Sequence, residues 1–273
     1  MAFDRTPRPN FKPKGPQHAN PENEIWLYGH HAVNAALRNP ARKILQLSCT
    51  RNGWPHIEAN VDFAKHPEPN IIDRNLLDSL LPASAVHQGV MAKAEQLVWP
   101  TLENLIATHG TTGPWVMLDQ VTEPQNVGAV LRSMTAFGAP VLCQHQFHGA
   151  AINGAMAKAA TGGLEHVPLI TVRNVAESLM ALKKAGFVVV GLDERGDLSI
   201  DQAAKKHGSQ PTVLVFGTEG RGLRERVREA CDVLVQIPTS GAIKALNISN
   251  AAAITLFCWQ QARGESVQNK DYI

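Results

Sequence analysis

From Trp115 to the C-terminus, short unbroken apolar runs alternate with helical stretches, and this alternation constrains the fold more than any other feature of the chain. Val116 to Val121, Pro140 to Cys143, Phe187 to Leu192, Thr212 to Gly217 and Val233 to Ile237 read as strands. Ala129 to Phe137, Val175 to Ala185 and Arg224 to Ala230 read as helices, and a last helix runs from about Asn247 to Ala262. Strands that are apolar at successive positions are covered on both faces, and strands separated by helices run parallel. The expected class is α/β with a parallel sheet, in which ligands sit at the carboxyl ends of the strands.

Ahead of this region, residues 25 to 95 read as a smaller α/β unit. Ile25 to Tyr28 is a strand that stops at Gly29. His31 to Arg38 is a helix that ends before Asn39-Pro40, where proline disfavours continuation. Lys43 to Thr50 is a strand with Leu45, Leu47 and Cys49 on one face. His56 to Lys65 and Arg74 to Leu81 are helical candidates, and His87 to Lys93 is a closing strand. Residues 97–114, with Pro100, Gly110, Gly113 and Pro114, form a connector. The first 23 residues carry five prolines and four cations; they offer too little apolar surface to offset their ordering entropy and read as a disordered tail.

Composition narrows the function classes. Among 273 residues, 26 Lys and Arg against 24 Asp and Glu leave a net charge of +2, too little for a protein that holds nucleic acid by bulk charge. No apolar run approaches the roughly 20 residues that span a bilayer, and the first residues lack the apolar stretch of a secretory signal. Cys49, Cys143, Cys231 and Cys258 are widely scattered, which points to free thiols in a reducing cytoplasm. Cys143, His145 and His148 lie within six residues, but structural zinc takes four ligands and no CxxC or second His pair follows, so no metal is expected.

Three strand ends carry candidate chemistry. In the first, Glu123-Pro124-Gln125-Asn126-Val127-Gly128 leads into a helix whose Val127, Val130, Leu131, Met134 and Phe137 form a buried stripe, with Arg132 off that stripe. In the second, Gly217-Thr218-Glu219-Gly220-Arg221-Gly222 places three glycines after a strand, a backbone cradle for a polar ligand. The cradle is neither GxGxxG nor a P-loop. In the third, Ile237-Pro238 exits a strand and Ala245-Leu246-Asn247 enters a helix, whose first turn holds Asn247, Ser249 and Asn250. Taken singly, each has an ordinary explanation in turns or capping.

Together, in this order and spacing, the three resemble the signature motifs of the SpoU/TrmH branch of the SPOUT superfamily. Tyr28-Gly29-His30-His31-Ala32-Val33, Pro40-Ala41-Arg42-Lys43-Ile44 and His87-Gln88-Gly89-Val90 resemble the RNA-binding domain of its ribosomal-RNA guanosine 2′-O-methyltransferase group. The resemblance implies a trefoil-knotted, parallel-sheet C-terminal domain over 115–273, a smaller N-terminal α/β RNA-binding domain over 24–96, and a linker at 97–114. It implies methyl transfer from S-adenosyl-L-methionine to a ribose 2′-hydroxyl, 23S rRNA as partner, and a cytoplasmic homodimer joined through the knotted domain. By position, Gly217, Thr218, Gly222, Ile237 and Leu246 match cofactor-binding residues, while Asn126, Arg132, Glu219 and Asn247 match the polar residues around the transfer centre. The chain departs from the pattern at Ala245, often serine; at Glu123, usually Asp; and at Asn250, usually apolar.

The chemistry implied needs alignment and stabilisation of charge on a weak nucleophile. Arg132 is assigned to the 2′-oxygen and the neighbouring phosphate, Glu219 to orienting Arg132, and Asn126 and Asn247 to holding the loops in register. Arg42, Lys43, Arg51 and the His30-His31 pair are candidate RNA contacts, as are Arg221 and Lys244 beside the cofactor loops, with solvated surface positions as the alternative. A tRNA ribose methyltransferase and a non-catalytic RNA-binding or ribosome-assembly factor of the same fold are the competing readings.

Overall fold

The computed structural model describes residues 23–57, 61–109, 113–218, 220, 222–242 and 245–264. The Pro-rich tail at 1–22, Glu219, Arg221 and Lys244 therefore lie outside the described residues.

In the N-terminal unit, β1 (Glu24–Tyr28), α1 (His30–Arg38), β2 (Ile44–Cys49), β3 (Asn70–Ile71), α2 (Arg74–Leu80) and β4 (Val90–Glu95) build a four-stranded sheet of order β1-β4-β2-β3. β4 pairs antiparallel with both β1 and β2, and β3 adds parallel to β2. A register shift between Ile44 and Gln46 corrects the expected face of β2. Ile44 and Leu47 are buried while Leu45 is only half-buried, because a bulge breaks the strict alternation. The helix expected over His56 to Lys65 is also corrected among the described residues: single 3-10 turns stand at Trp54–His56 and Phe63–Lys65, while residues 58–60 lie outside the described residues. Pro55 suits a first turn and removes a donor needed further in.

The larger sheet follows. The connector contains α3 (Leu102–His109), which places Leu102 and Leu105 in the core. Then come β5 (Pro114–Leu118), α4 (Pro124–Phe137), β6 (Leu142–His145), α5 (Gly154–Ala160), β7 (Leu169–Val172), α6 (Val175–Lys184) and β8 (Val188–Leu192). β9 (Leu198–Ser199), α7 (Ile200–His207), β10 (Thr212–Phe216), α8 (Glu225–Glu229), β11 (Val233–Gln236) and α9 (Ile248–Ala262) complete the chain. The seven strands run parallel in the order β7-β6-β5-β10-β8-β11-β9. Successive residues of β5 serve opposite faces: Val116 and Leu118 pack in one core, Trp115 and Met117 in the other. α4 begins five residues before the helix expected from Ala129, because Pro124 is pre-set for the first helical turn.

α5 joins the two units. Its small residues let β1 and α4 approach from two sides. A Cβ on Gly154 would run into the Tyr28 ring, and one on Gly128 of α4 would lie 2.7 Å from the Ala159 Cβ. At the same seam, Glu165 accepts from Arg42 Nε at 3.0 Å and Nη2 at 2.7 Å, and from Asn39 Nδ2 at 2.8 Å. The Arg42 and Glu165 side chains are 1% and 3% exposed, and Arg42 also donates to the Glu95 carbonyl at 2.7 Å. One apolar cluster runs without interruption from Leu27 and Val33 to Val130 and Leu131.

Candidate functional site

A cleft of about 690 Å³ opens at the carboxyl ends of β8, β10 and β11. All five residues expected at the cofactor, Gly217, Thr218, Gly222, Ile237 and Leu246, line it, and so does Ala245. Phe216, Val235, Ile237, Leu246 and Ile248 supply an apolar wall. The glycine segment folds back on itself: Gly222 N–H donates to the Thr218 carbonyl at 3.0 Å, and a Cβ on Gly217 would collide with the Gly222 carbonyl. Only glycine is accommodated at 217 in this closed turn.

The loop after β8 also lines the cleft, through Leu192, Asp193, Glu194 and Arg195. It is a fourth strand end that motif reasoning missed, although Asp193-Glu194-Arg195-Gly196 directly after an apolar strand is the kind of signal that found the others. Asp193 is buried. Its carboxylate accepts from Arg195 Nε at 2.7 Å, Nη2 at 2.8 Å and backbone N–H at 3.0 Å. The hydrogen bond from the Arg195 side chain holds its pKa below the usual carboxylate value, against the opposing effect of burial. Gln236 Nε2 donates to the Gly196 carbonyl at 2.8 Å, fastening this turn to β11. A second pair braces the other side: buried Asp119, just past β5, accepts from Arg224 Nε at 2.9 Å and Nη2 at 2.5 Å.

Beside the cleft, the structure brings together two residues that stand 121 positions apart. Asn247 caps α9, its Oδ1 accepting from Ser249 N at 2.9 Å and Ser249 Oγ at 2.6 Å. Its Nδ2 donates to Asn126 Oδ1 at 3.2 Å, in the first turn of α4. The capping role and the bridging role thus belong to one side chain, and the N-termini of two long helices converge here. Arg132, further along α4, is exposed, lies outside the cleft lining, and forms no ion pair with any described residue.

Among the candidate RNA contacts, Arg42 is corrected. It is sealed at the seam with Glu165 and is unavailable to a ligand, because its partner stands 123 residues away and spacing does not reveal it. Lys43 pairs with Glu95 at 2.5 Å on the surface, Arg51 and His31 are exposed, and His30 is half-buried. Near β6, the Cys143 side chain is buried, and His145 Nδ1 accepts from the backbone N–H groups of Phe147 and His148. Among the described residues, no group of three or more His, Cys, Asp or Glu side chains gathers for a metal.

The lining suits S-adenosylmethionine: an apolar wall for a flat heterocycle, exposed backbone groups of the glycine turn for its polar edge, and Glu194 and Thr239 for hydroxyl and ammonium groups. A parallel sheet with such a cleft at its strand ends, beside two converging helix N-termini, defines an α/β protein that binds a small ligand at the carboxyl edge. Residues 114–257 match the SpoU rRNA Methylase family, and residues 26–99 match the RNA 2′-O ribose methyltransferase substrate binding family. The chain belongs to the SpoU rRNA methylase family. A relative from Ralstonia nicotianae, named 23S rRNA (guanosine-2′-O-)-methyltransferase RlmB, is 37% identical over 245 residues, covering 85% of this chain and 93% of the relative. Its namesake from Pseudomonas aeruginosa is 35% identical, covering 85% and 94%. The solved structure of the SpoU methyltransferase AviRb from Streptomyces viridochromogenes, in complex with the cofactor AdoMet, is similar with a TM-score of 0.74 at 25% identity, over 90% of this chain and 92% of that one. The expected α/β class and SPOUT assignment are borne out.

Proposed function

We propose that this chain transfers a methyl group from S-adenosyl-L-methionine to a ribose 2′-hydroxyl of RNA, its substrate a guanosine of 23S rRNA. The observation that carries the reading is the convergence, at one edge of the sheet, of the cleft and the Asn126–Asn247 bridge. The substrate is taken from the relatives' names and from the extent of similarity, which includes the N-terminal unit. Residues 24–96 act as the RNA-binding domain, 97–114 as the connector and 115–273 as the transferase.

When bound, the cofactor supplies an activated methyl group on a sulfonium. Gly217, Thr218, Gly222, Ile237 and Leu246 hold and shape it. Arg132 stabilises the negative charge that develops on the 2′-oxygen and anchors the adjacent phosphate, since a guanidinium is a poor base but a permanent cation. No described carboxylate competes for Arg132, which supports that role. Asn126 and Asn247 align the two helix N-termini, whose partial positive charge favours the same developing anion. Glu219, outside the described residues, is kept as the group that orients Arg132.

The same reading places a cytoplasmic homodimer on the knotted region. Exposed Ile254 and Phe257 of α9, the latter edge-on to Phe137 at 6.0 Å, support an apolar interface there. The closed turn at 217–222 supports its assignment to the knotted loops. The four free cysteines, and the absence among the described residues of any helix long and apolar enough to cross a membrane, accord with a cytoplasmic site.

The test is transfer of tritium from labelled S-adenosylmethionine to rRNA from cells lacking the gene, followed by mapping of 2′-O-methylation. Label on a 23S guanosine ribose is the expected result; label confined to tRNA, or none, overturns the reading. Arg132→Ala is expected to cut turnover by about 10²–10³-fold while the cofactor still binds. Near-normal turnover removes Arg132 from its role.

A further inference from the structure

At the seam between the two units, several groups able to carry positive charge gather, and among the described residues none of them is ion-paired to a carboxylate. His30 and His31 open α1, with ring centroids 4.2 Å apart, and His56 stacks on His30 at 5.5 Å. From the other unit, Lys158 of α5 reaches across to the Val86 carbonyl and, at 3.3 Å, to Gln88 Oε1. Its Nζ lies 3.3 Å from the position a Cβ would take on Gly29, the residue that precedes α1. α1 has no side-chain cap and no acidic residue in its first turn, so its dipole adds to the same field. His30 Nδ1 is sealed from solvent with no partner among the described residues. Burial, and then His31, His56 and Lys158, keep this imidazole less basic than usual. Among the described residues the charged neighbours acting on it are all cationic, and an anion is the group that would relieve them.

We propose that this seam is a binding subsite for a backbone phosphate of the RNA, shared between α1 and α5 and resting on the RNA-methyltransferase reading. A nucleic acid fits better than an isolated anion. His31 and His56 are exposed, and Trp54, in the same turn as His56 and 41% exposed, offers a stacking face for a base next to the phosphate. The position gives the contact a purpose. α5 packs directly on α4, so a phosphate held by Lys158 is separated by a single helix from the one that carries Asn126 and Arg132. The strand is thereby set in register between the recognition unit and the transfer centre.

The experiment measures binding of the full-length protein to a 23S rRNA fragment over a salt series, for wild type, His31→Gln and Lys158→Gln. Loss of the Lys158 contact is expected to weaken binding by about fivefold near 0.1 M salt and to lower the slope of log K against log salt by about 0.7–0.9, while His31→Gln weakens binding with a smaller change in slope, because an imidazole carries only part of a charge near neutral pH. Cofactor affinity and thermal midpoint serve as controls on folding. Because Lys158 also bonds across the seam, His31→Gln, at an exposed position, carries the test if Lys158→Gln melts early. Wild-type affinity in both variants, or weaker binding by Lys158→Gln with an unchanged slope, overturns the subsite. If the wild-type protein neither binds nor methylates the fragment, the RNA-methyltransferase reading itself fails instead.

Discussion

The seam between the two sheets and the cleft at the edge of the larger one both rely on arginine–carboxylate pairs, but in opposite surroundings. At the seam, Arg42 and Glu165 are almost wholly enclosed: Glu165 is met by Arg42 and Asn39 from the other unit, and Arg42 also donates to the Glu95 carbonyl of its own. At the cleft, Asp193 and Asp119 are buried while Arg195 and Arg224 are 58% and 42% exposed on their side chains. The enclosed pair was removed from water at both ends, so it fixes a single relative position for two units and leaves little freedom. The half-exposed pairs hold loops by their roots and leave their tips free to adapt to a ligand. Rigidity has been placed where RNA recognition must be aligned with transfer, and compliance where a small molecule must enter.

Breaking the seam should have the largest effect. Glu165→Gln leaves the Arg42 charge enclosed without its counter-ion and should cost about 3–5 kcal/mol, read as a lowered urea midpoint. Arg42→Met with Glu165→Leu should restore much of that loss, because the cost of dehydrating two charges disappears with them. A single variant as stable as wild type would mean the seam is wetter than the contacts indicate. At the cleft, Gly217→Ala should weaken cofactor binding about tenfold or more with a smaller change in the urea midpoint, since the added methyl forces the closed turn open. Calorimetric titration with S-adenosylmethionine measures it, and unchanged affinity would detach the turn from the cofactor.

The smallest effect concerns acid. The Asp193 carboxyl titrates below its usual range because Arg195 bonds its charged form. The unfolded chain therefore binds that proton more readily, and the stabilisation is complete at neutral pH and lost as pH falls through the lowered folded-state value. Asp193→Asn should lower stability at about pH 7 and by progressively less towards about pH 3. Urea midpoints across that range check the sign, and a deficit that grows on acidification would contradict it.

Much of the larger sheet was legible because continuous apolar runs and the Val127–Phe137 stripe report burial directly. Three loops of the site were legible because Pro124, the glycines at 217–222 and Asn247 are residues whose backbone habits are restrictive. What stayed hidden has a common cause. Arg42 reads as a surface cation until Glu165 is folded against it from 123 residues away. The bulge that turns Leu45 outward depends on pairing with β4, not on local pattern. α5, Gly-Ala-Met-Ala-Lys-Ala-Ala, carries too few large apolar residues to show a stripe, yet its smallness is what lets α4 and β1 close on it.

That narrow helix also bears on how the protein can be taken apart. A shortened chain starting near Pro114 would expose to water a face of glycine and alanine shaped for Trp26, Tyr28 and Ala35, with Glu165 deprived of its arginine. Such a fragment is not the natural enzyme minus an accessory. Grafting a different recognition unit onto this transferase would require the newcomer to bring an arginine and an aromatic ring to the same two places.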